Sequence, residues 1–381
     1  MRYLSGLDRF MEGEYKTVKG KKVGLVTNHT GIDKDCRHNV DLLFSHPEVN
    51  LVCLFGPEHG VRGSLQDGEK VVGGVDKNTG LPIYSLYGEE KKPAGKLLRE
   101  LEVLIFDLQD VGVRFYTYLS TLLYVLESCA EHKKTLIVLD RLNPLGRRVE
   151  GNIPEAEFRS FIGLYPIPQR HGMTLGELAC WANDRFHLGA DLQIIKVQGW
   201  HGEYFDQMRI PWIPPSPNIP HFATALVYPV TCMFEGTNVS EGRGTANPFE
   251  YIGAPWIDAD RLVKRLNSIC LPGVKFRPTY FTPTFSKYKE QECQGVQVMI
   301  EDREQVQSLL TGLTILQVIK ALYPHDLKWL PSSIEAAFDF NMGTDKVRLG
   351  IEQGREPADI VHEWRADEKS FISEREKYLL Y

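Results

Sequence analysis

The sequence predicts an open, doubly wound α/β domain with a mostly parallel sheet, followed by a second, smaller α+β domain at the C-terminus. Three observations carry this expectation. The first 200 residues alternate short apolar runs with longer helical patterns. Those runs are apolar almost throughout rather than every second residue, as strands covered on both faces are. After about residue 200 the texture changes to a Pro- and aromatic-rich stretch and then to mixed α and β patterns.

The predicted strands are "KVGLVT" (22–27), "VNLVCLF" (49–55), "PIYSLY" (82–87), "VLIFDL" (103–108), "TLIVLD" (135–140) and "LQIIKV" (192–197). Helices are expected over 118–134 and 174–187, the second opened by Thr174 with Glu177 three residues on, a capping box. Strands alternating with helices imply parallel pairing and an open sheet. The stretch "GWHGEYFDQMRIPWIPPSPNIPHF" is too apolar for a flexible linker and is expected as an ordered loop packed over the first domain. "ALVYPVTCMF" reads as an apolar strand. Beyond it come a helix at 258–268, a strand at 295–300 and helices at 304–322 and 368–380. The domains are expected to span 1–224 and 225–381, with the second closing a cleft over the first.

The composition excludes several classes. With 43% hydrophobic and 25% charged residues the chain is an ordinary globular protein, and its net charge of -6 argues against a nucleic-acid grip. No run approaches the roughly 20 apolar residues that span a bilayer. The opening "MRYLSGLDRF" lacks the apolar core of a signal peptide, so the chain as given is expected in the cytoplasm; a trimmed N-terminus would make it secreted or periplasmic. The seven cysteines are scattered without a C-x-x-C and read as small core residues. Dispersed His29, His59, His171 and His201 call for no metal, and the glycine spacings of dinucleotide and P-loop sites are missing, so no cofactor is expected.

In an open α/β sheet, ligands bind beyond the carboxyl ends of the strands. Asn28-His29-Thr30-Gly31 comes after the first predicted strand, and Gly56-Pro57-Glu58-His59-Gly60-Val61-Arg62-Gly63 after the second. Gln109 to Tyr118 comes after the fourth, and Arg141 after the fifth. Four strand ends thus deliver Asn, Glu, His, Asp, Arg and Tyr to one rim. Glu58, behind an apolar strand, is placed to be a desolvated general acid; the alternative is a helix cap or a pair with Arg62. His59 either binds ligand or bonds backbone. Asp110 and Arg114, four apart, either pair on a helix or meet substrate. Tyr116 and Tyr118 either stack on a sugar or pack between domains. "GTNVSEGRGTANPFE", with Asn238, Glu241, Arg243 and Asn247, is either a solvated turn or a loop closing over the crevice.

The blocks "GLVTNHTG", "LFGPEHGVRG", "DLQDVGVRFYTY", "LDRLNPLG", "YPIPQRHGMTLGELA", "PWIPPSPNIP", "FEGTNVSEGRGTANPFEYIGAPWID" and "FRPTYFTPTFSKY" together resemble the NamZ-type exo-β-N-acetylmuramidases, from about residue 20 to the closing "YLLY". The family's "LDRPNP" segment reads "LDRLNP" here, with Leu142. The resemblance implies a Rossmann-like domain with a small C-terminal domain, a site in the cleft between them, and release of terminal N-acetylmuramic acid from the non-reducing end of peptidoglycan fragments. It maps the family's proposed catalytic carboxylate onto Glu58. A glycosidase needs a proton donor and a second group across the sugar ring. Asp110 and Glu241 are candidates for the second, as is the substrate's own N-acetyl oxygen. A bidentate arginine suits the lactyl carboxylate, which nominates Arg62, Arg114 or Arg243. Asn28, His59, Tyr116, Tyr118 and Asn238 complete the expected binding set, and the partner is a muramyl saccharide. The competing functions are a non-catalytic wall-sugar binder and an α/β enzyme of another class.

Overall fold

The computed structural model describes residues 3–63, 73–88, 90–331 and 337–381. Met1 and Arg2, the start of the stretch read for a leader, lie outside the described residues.

The strands of the first sheet are β1 (Lys22–Thr27), β2 (Asn50–Gly56), β3 (Gly74–Val75), β4 (Pro82–Ser85), β5 (Val103–Asp107), β6 (Thr135–Leu139) and β7 (Leu192–Ile195). Their order is β3-β4-β2-β1-β5-β6-β7. Every pair is parallel except β3 with β4. All six predicted strands are present within a residue or two. The chain leaves β1 toward one edge and returns at β5 to build toward the other, so the topological switch lies between β1 and β5 and a crevice opens beyond their carboxyl ends.

Helices cover both faces, which is why the strands carry unbroken apolar runs. On one face α1 (Gly6–Glu12) and α2 (Asn39–Ser45) set Leu7, Phe10, Val40 and Leu43 against Val23, Leu25, Val103 and Ile105. On the other, after the short α3 (Gly95–Leu98), lie α4 (Thr117–Glu131) and α5 (Leu175–Arg185), with Leu119, Leu122 and Trp181 against Phe55, Leu104 and Phe106. The capping box at Thr174 and Glu177 is formed: each side chain takes the other's backbone N–H.

Residues 222–231 differ from expectation. "ALVYPVTCMF" is not a strand but the end of helix α6 (Phe222–Thr231) and a 3-10 turn after it. Its β-branched residues and Pro229 mimic a strand, but the helix is held by close packing on α8 (Ser308–Leu322). A Cβ at Gly312 would sit 2.1 Å from the carbonyl of Val230, so tertiary contact overrides local propensity. Between them come β8 (Tyr251–Ala254), α7 (Ala259–Asn267), β9 (Val274–Phe281) and β10 (Cys293–Ile300), the strands forming an antiparallel sheet in the order β8-β10-β9. Sequence reading missed β9 although its residues alternate inward and outward. Pro278 interrupts it, and the strand tolerates proline because it lies on the sheet edge.

The chain then runs through α9 (Phe338–Met342), α10 (Lys346–Glu352), α11 (Pro357–Glu363) and α12 (Arg365–Arg375). Its end returns to the first sheet. Phe371 joins the core that holds Trp181. Arg375 Nη1 donates to the carbonyls of His171 and Gly172 at 2.7 and 2.9 Å. Tyr381 donates its hydroxyl to Asp140 Oδ2 at 2.7 Å.

Candidate active site

Beyond β2 the chain turns sharply. Gly60 N–H donates to Pro57 O at 2.9 Å, and His59 (φ 72°) and Gly60 (φ 74°) take consecutive left-handed conformations. A non-glycine residue there stores strain, which an ordered surrounding must hold. Gly63 is required for a second reason: a Cβ would lie 2.1 Å from His29 Nδ1. The turn therefore fits tightly against the end of β1 and carries Glu58 to the rim.

Glu58 is buried, and Thr117 Oγ1, in the first turn of α4, donates to its Oε2 at 2.6 Å. The next residue, Tyr118, accepts from Asn28 Nδ2 at 2.6 Å and donates to the carbonyl of Pro215 at 2.9 Å. Asn28 Oδ1 in turn accepts from the backbone and hydroxyl of Thr30, and Thr30 Oγ1 accepts from Gln109 N–H at 3.0 Å. One continuous network thus ties the ends of β1 and β5 to α4 and to the Pro-rich segment above. His29 Nε2 lies 2.6 Å from the carbonyl of Pro214, so that segment is anchored twice.

Asp110 stands at the same rim. Gly112 N–H donates to its Oδ2 at 2.6 Å, while Oδ1 is buried without a hydrogen-bond partner among the described residues. Gly112 itself is positioned by φ 85° and by Asn143, whose Oδ1 a Cβ would meet at 2.2 Å. Burial pushes the Asp110 carboxyl up to about 7, opposed by backbone N–H groups. Near it is His171, fully buried, with Nε2 3.9 Å from Asp110 Oδ2. Its Nδ1 accepts from Met173 N–H, which places the ring proton on Nε2. Burial, helped by Arg375 and Arg170, carries His171 down to about 3, so the ring is neutral. Tyr116 and Tyr118 pack edge to face at 4.9 Å. Burial raises the pKa of each phenol, and the nearby charges of Glu58 and Asp110 add to the rise.

The three arginines nominated for the lactyl carboxylate have other partners. Arg62 bridges Asp41 and Asp76, with all four contacts at 2.9–3.0 Å. Arg114 does not pair with Asp110. It is buried and donates to the carbonyls of Ile167 at 2.9 Å and Met342 at 3.0 Å, and desolvation lowers it to about 9. Arg243 pairs with Glu235 and Glu241 and lies 5.0 Å above the ring of Phe249. Glu241 is held by Arg243 and by Lys287 Nζ at 2.9 Å. The rings of Phe249 and Tyr228 link this charge cluster to Tyr116. Asn238 braces the second domain: its amide donates to Asp326 O and accepts from Lys328 N–H. Tyr116 and Tyr118 are buried, Tyr118 almost completely. The structure thus gathers Asn28, Glu58, Asp110, Tyr116 and Tyr118, and leaves Arg62, Arg114, Asn238, Glu241 and Arg243 committed elsewhere.

Two members of the cluster were not singled out from sequence. Thr117 lay inside a quoted strand-end run, and His171 was weighed only as a metal ligand; only the fold brings them to Glu58 and Asp110. Among the described residues no group of three or more His, Cys, Asp or Glu could hold a metal ion. No described helix is long and apolar enough to cross a membrane.

Comparison with known proteins gives consistent results. Residues 23–223 match the family described as exo-beta-N-acetylmuramidase NamZ, N-terminal, and residues 226–381 match its C-terminal counterpart. The chain is 45% identical over 379 residues to the peptidoglycan beta-N-acetylmuramidase NamZ of Bacillus subtilis (strain 168), covering 99% of this chain and 91% of that protein. Two DUF1343 family proteins of Bacteroides fragilis, known from crystal structures, share the fold. One has a TM-score of 0.92 and 38% identity, the other 0.77 and 30%; each match covers 100% of this chain and 99% of the other.

Proposed function

The chain belongs to the NamZ family of exo-β-N-acetylmuramidases, and from that premise we propose that Glu58 protonates the bridge oxygen as its glycosidic bond breaks. It is an exo-acting glycoside hydrolase that releases terminal β-linked N-acetylmuramic acid from peptidoglycan fragments. Membership sets aside the two competing classes, a wall-sugar binder and an α/β enzyme of another kind.

The observation that carries the assignment is a buried carboxyl at the crevice edge, held in one orientation by Thr117. Fixed geometry at the reacting oxygen is what general acid catalysis requires. Asp110, at the same rim, is the second group: it activates water or orients the substrate's N-acetyl oxygen. His171 Nε2 lies 3.9 Å from Asp110 Oδ2, longer than a hydrogen bond. The strap at Pro214 and Pro215, anchored to His29 and Tyr118, helps to desolvate the rim, which strengthens each of these interactions.

One observation favours exchanged roles. The Asp110 carboxyl is raised to about 7 by burial, as suits a proton donor, while Glu58 accepts from the hydroxyl of Thr117, as a carboxylate does. Two substrates separate the readings. A nitrophenyl leaving group departs with little protonation; the sugar of a natural disaccharide does not. With Glu58 as the acid, Glu58→Gln lowers disaccharide hydrolysis by ~10²–10⁴-fold and nitrophenyl release far less, whereas Asp110→Asn lowers both alike. The opposite pattern exchanges the roles. Full activity of Glu58→Gln on both substrates refutes any part for Glu58 in the chemistry.

A further inference from the structure

A cavity of about 390 Å³ opens beyond β1, β5 and β6, beside the start of α1. None of Glu58, Asp110 and Glu241 lines it. Its size falls at the low end of the range for small-molecule sites, about 300–1,000 Å³.

The two walls differ in chemistry. One is apolar: Phe205, Met208, Ile210, Trp212 and Ile213, all from the strap above the sheet. Trp212 is fixed there by its Nε1–H, which donates to Ile219 O at 3.1 Å, and by Phe205 packed edge-on at 4.8 Å. The other wall is polar and includes Gln109 and Arg141. Arg141, 9% exposed, gives Nε to Asp107 Oδ1 at 2.6 Å and Nη2 to Asp107 Oδ2 and Ile32 O. Its Nη1 makes no hydrogen bond among the described residues. Gln109 donates Nε2 to the carbonyls of Asp110 and Leu142 at 2.8 and 2.9 Å. Two carbonyl acceptors fix which end of the amide is nitrogen, and Oε1 is left without a partner among the described residues. The lining therefore includes one rigid donor, one rigid acceptor and an indole.

The charges around them nearly balance and call for no net charge on a ligand. Asp107 neutralises Arg141, and the carboxylates of Asp8 and Asp33 stand against the cations of Lys34 and Arg209 in the same lining. A neutral ligand with an apolar face and several hydroxyl or amide groups meets every feature.

We propose that this cavity is a second saccharide site, for a neutral N-acetylated pyranose whose C–H face lies on Trp212 and whose polar edge meets Arg141 Nη1 and Gln109 Oε1. The indole supplies a large rigid apolar surface, and the two unpartnered polar atoms supply orientation. The strap that forms the apolar wall continues into Pro214 and Pro215, whose carbonyls take His29 and Tyr118. A sugar seated here therefore touches the segment that also closes the Glu58 network. The site stands whatever the role of Glu58.

The test uses the wild-type chain and free N-acetylglucosamine, which has no glycosidic bond to cleave. Calorimetry is expected to detect binding that weakens at least tenfold in Ile210→Trp, which fills the cavity, and equally in Ile213→Trp, so that one folded variant suffices. N-acetylmuramic acid, carrying the lactyl anion, is expected to depend less on these substitutions. Crystals of the wild type soaked in N-acetylglucosamine should show the ring on Trp212. Affinity unchanged by either variant, a stronger dependence for the anionic sugar, or a soaked sugar found away from Trp212 overturns the proposal.

Discussion

Replacing Asp110 by asparagine should stabilise the protein in alkaline solution while impairing it as an enzyme. Asp110 is 6% exposed, one of its oxygens has no partner among the described residues, and burial carries its carboxyl from 3.8 to about 7. The folded state therefore holds a proton that the unfolded chain releases. A carboxyl raised in this way contributes its full stability below about 3.8 and loses it progressively as pH rises to about 7. At about 1.4 kcal/mol per pH unit, ionising it costs the fold ~4 kcal/mol. Asparagine keeps the acceptor for Gly112 N–H and cannot ionise. Wild type and variant are expected to unfold in urea at similar concentrations at pH 4, and to diverge by ~4 kcal/mol in favour of the variant at pH 8. His171 is neutral over this range in both proteins and largely cancels in the difference. Parallel curves from pH 4 to pH 9 would refute the claim that the Asp110 carboxyl is desolvated, and with it the basis for giving it a special protonation state. The stabilised variant should be deficient in hydrolysis, the usual relation between a strained site and its function.

Arg62→Ala should leave the preference for muramyl over glucosaminyl substrates unchanged, because its guanidinium serves Asp41 and Asp76; the ratio of kcat/KM values checks this. The same change should cost ~1–2 kcal/mol at neutral pH, discounted for the exposure of the arginine. Because Arg62 lowers Asp76 to about 2, that contribution is present above about 3.8 and disappears as pH falls through about 2, so wild type and variant should converge in acid. Thr117→Val removes the hydroxyl that orients Glu58 and should lower kcat/KM on the disaccharide about tenfold, equivalent to ~1.4 kcal/mol, with little change in melting temperature. Phe371→Ala should destabilise the whole protein by ~3–5 kcal/mol, because this ring seats the last long helix in the core of the first sheet; a loss below ~1 kcal/mol would mean that the chain end docks without it.

The first sheet was legible because its strands are covered on both faces. Burial on both sides leaves an uninterrupted apolar run, and such runs at 22–27, 103–108 and 135–140 have no rival interpretation once helical patterns separate them. The second sheet was harder. Pro278 disguised an edge strand, and a β-branched run around Pro229 disguised a helix whose conformation depends on its contact with Gly312. At the site, Glu58 and Asp110 stood out because each lies just past the end of a strand, and parallel strands send their carboxyl ends to one edge. Thr117 and His171 carried no comparable signal. A threonine in a helix's first turn and a histidine in a loop have too many ordinary roles to be singled out without their neighbours. The partners of Arg62 were not legible either: Asp41 lies 21 residues away and Asp76 14, and nothing local announces them.

Strand positions, the crevice edge and the position of one buried acid come from hydrophobic periodicity and chain direction, both of which are local properties written into consecutive residues. Which carboxyl keeps its proton, which arginine is already occupied and where a second cavity opens were decided by tertiary structure alone. Desolvation and pairing depend on the atoms that surround a group in space, and the fold draws those atoms from segments far apart in the chain.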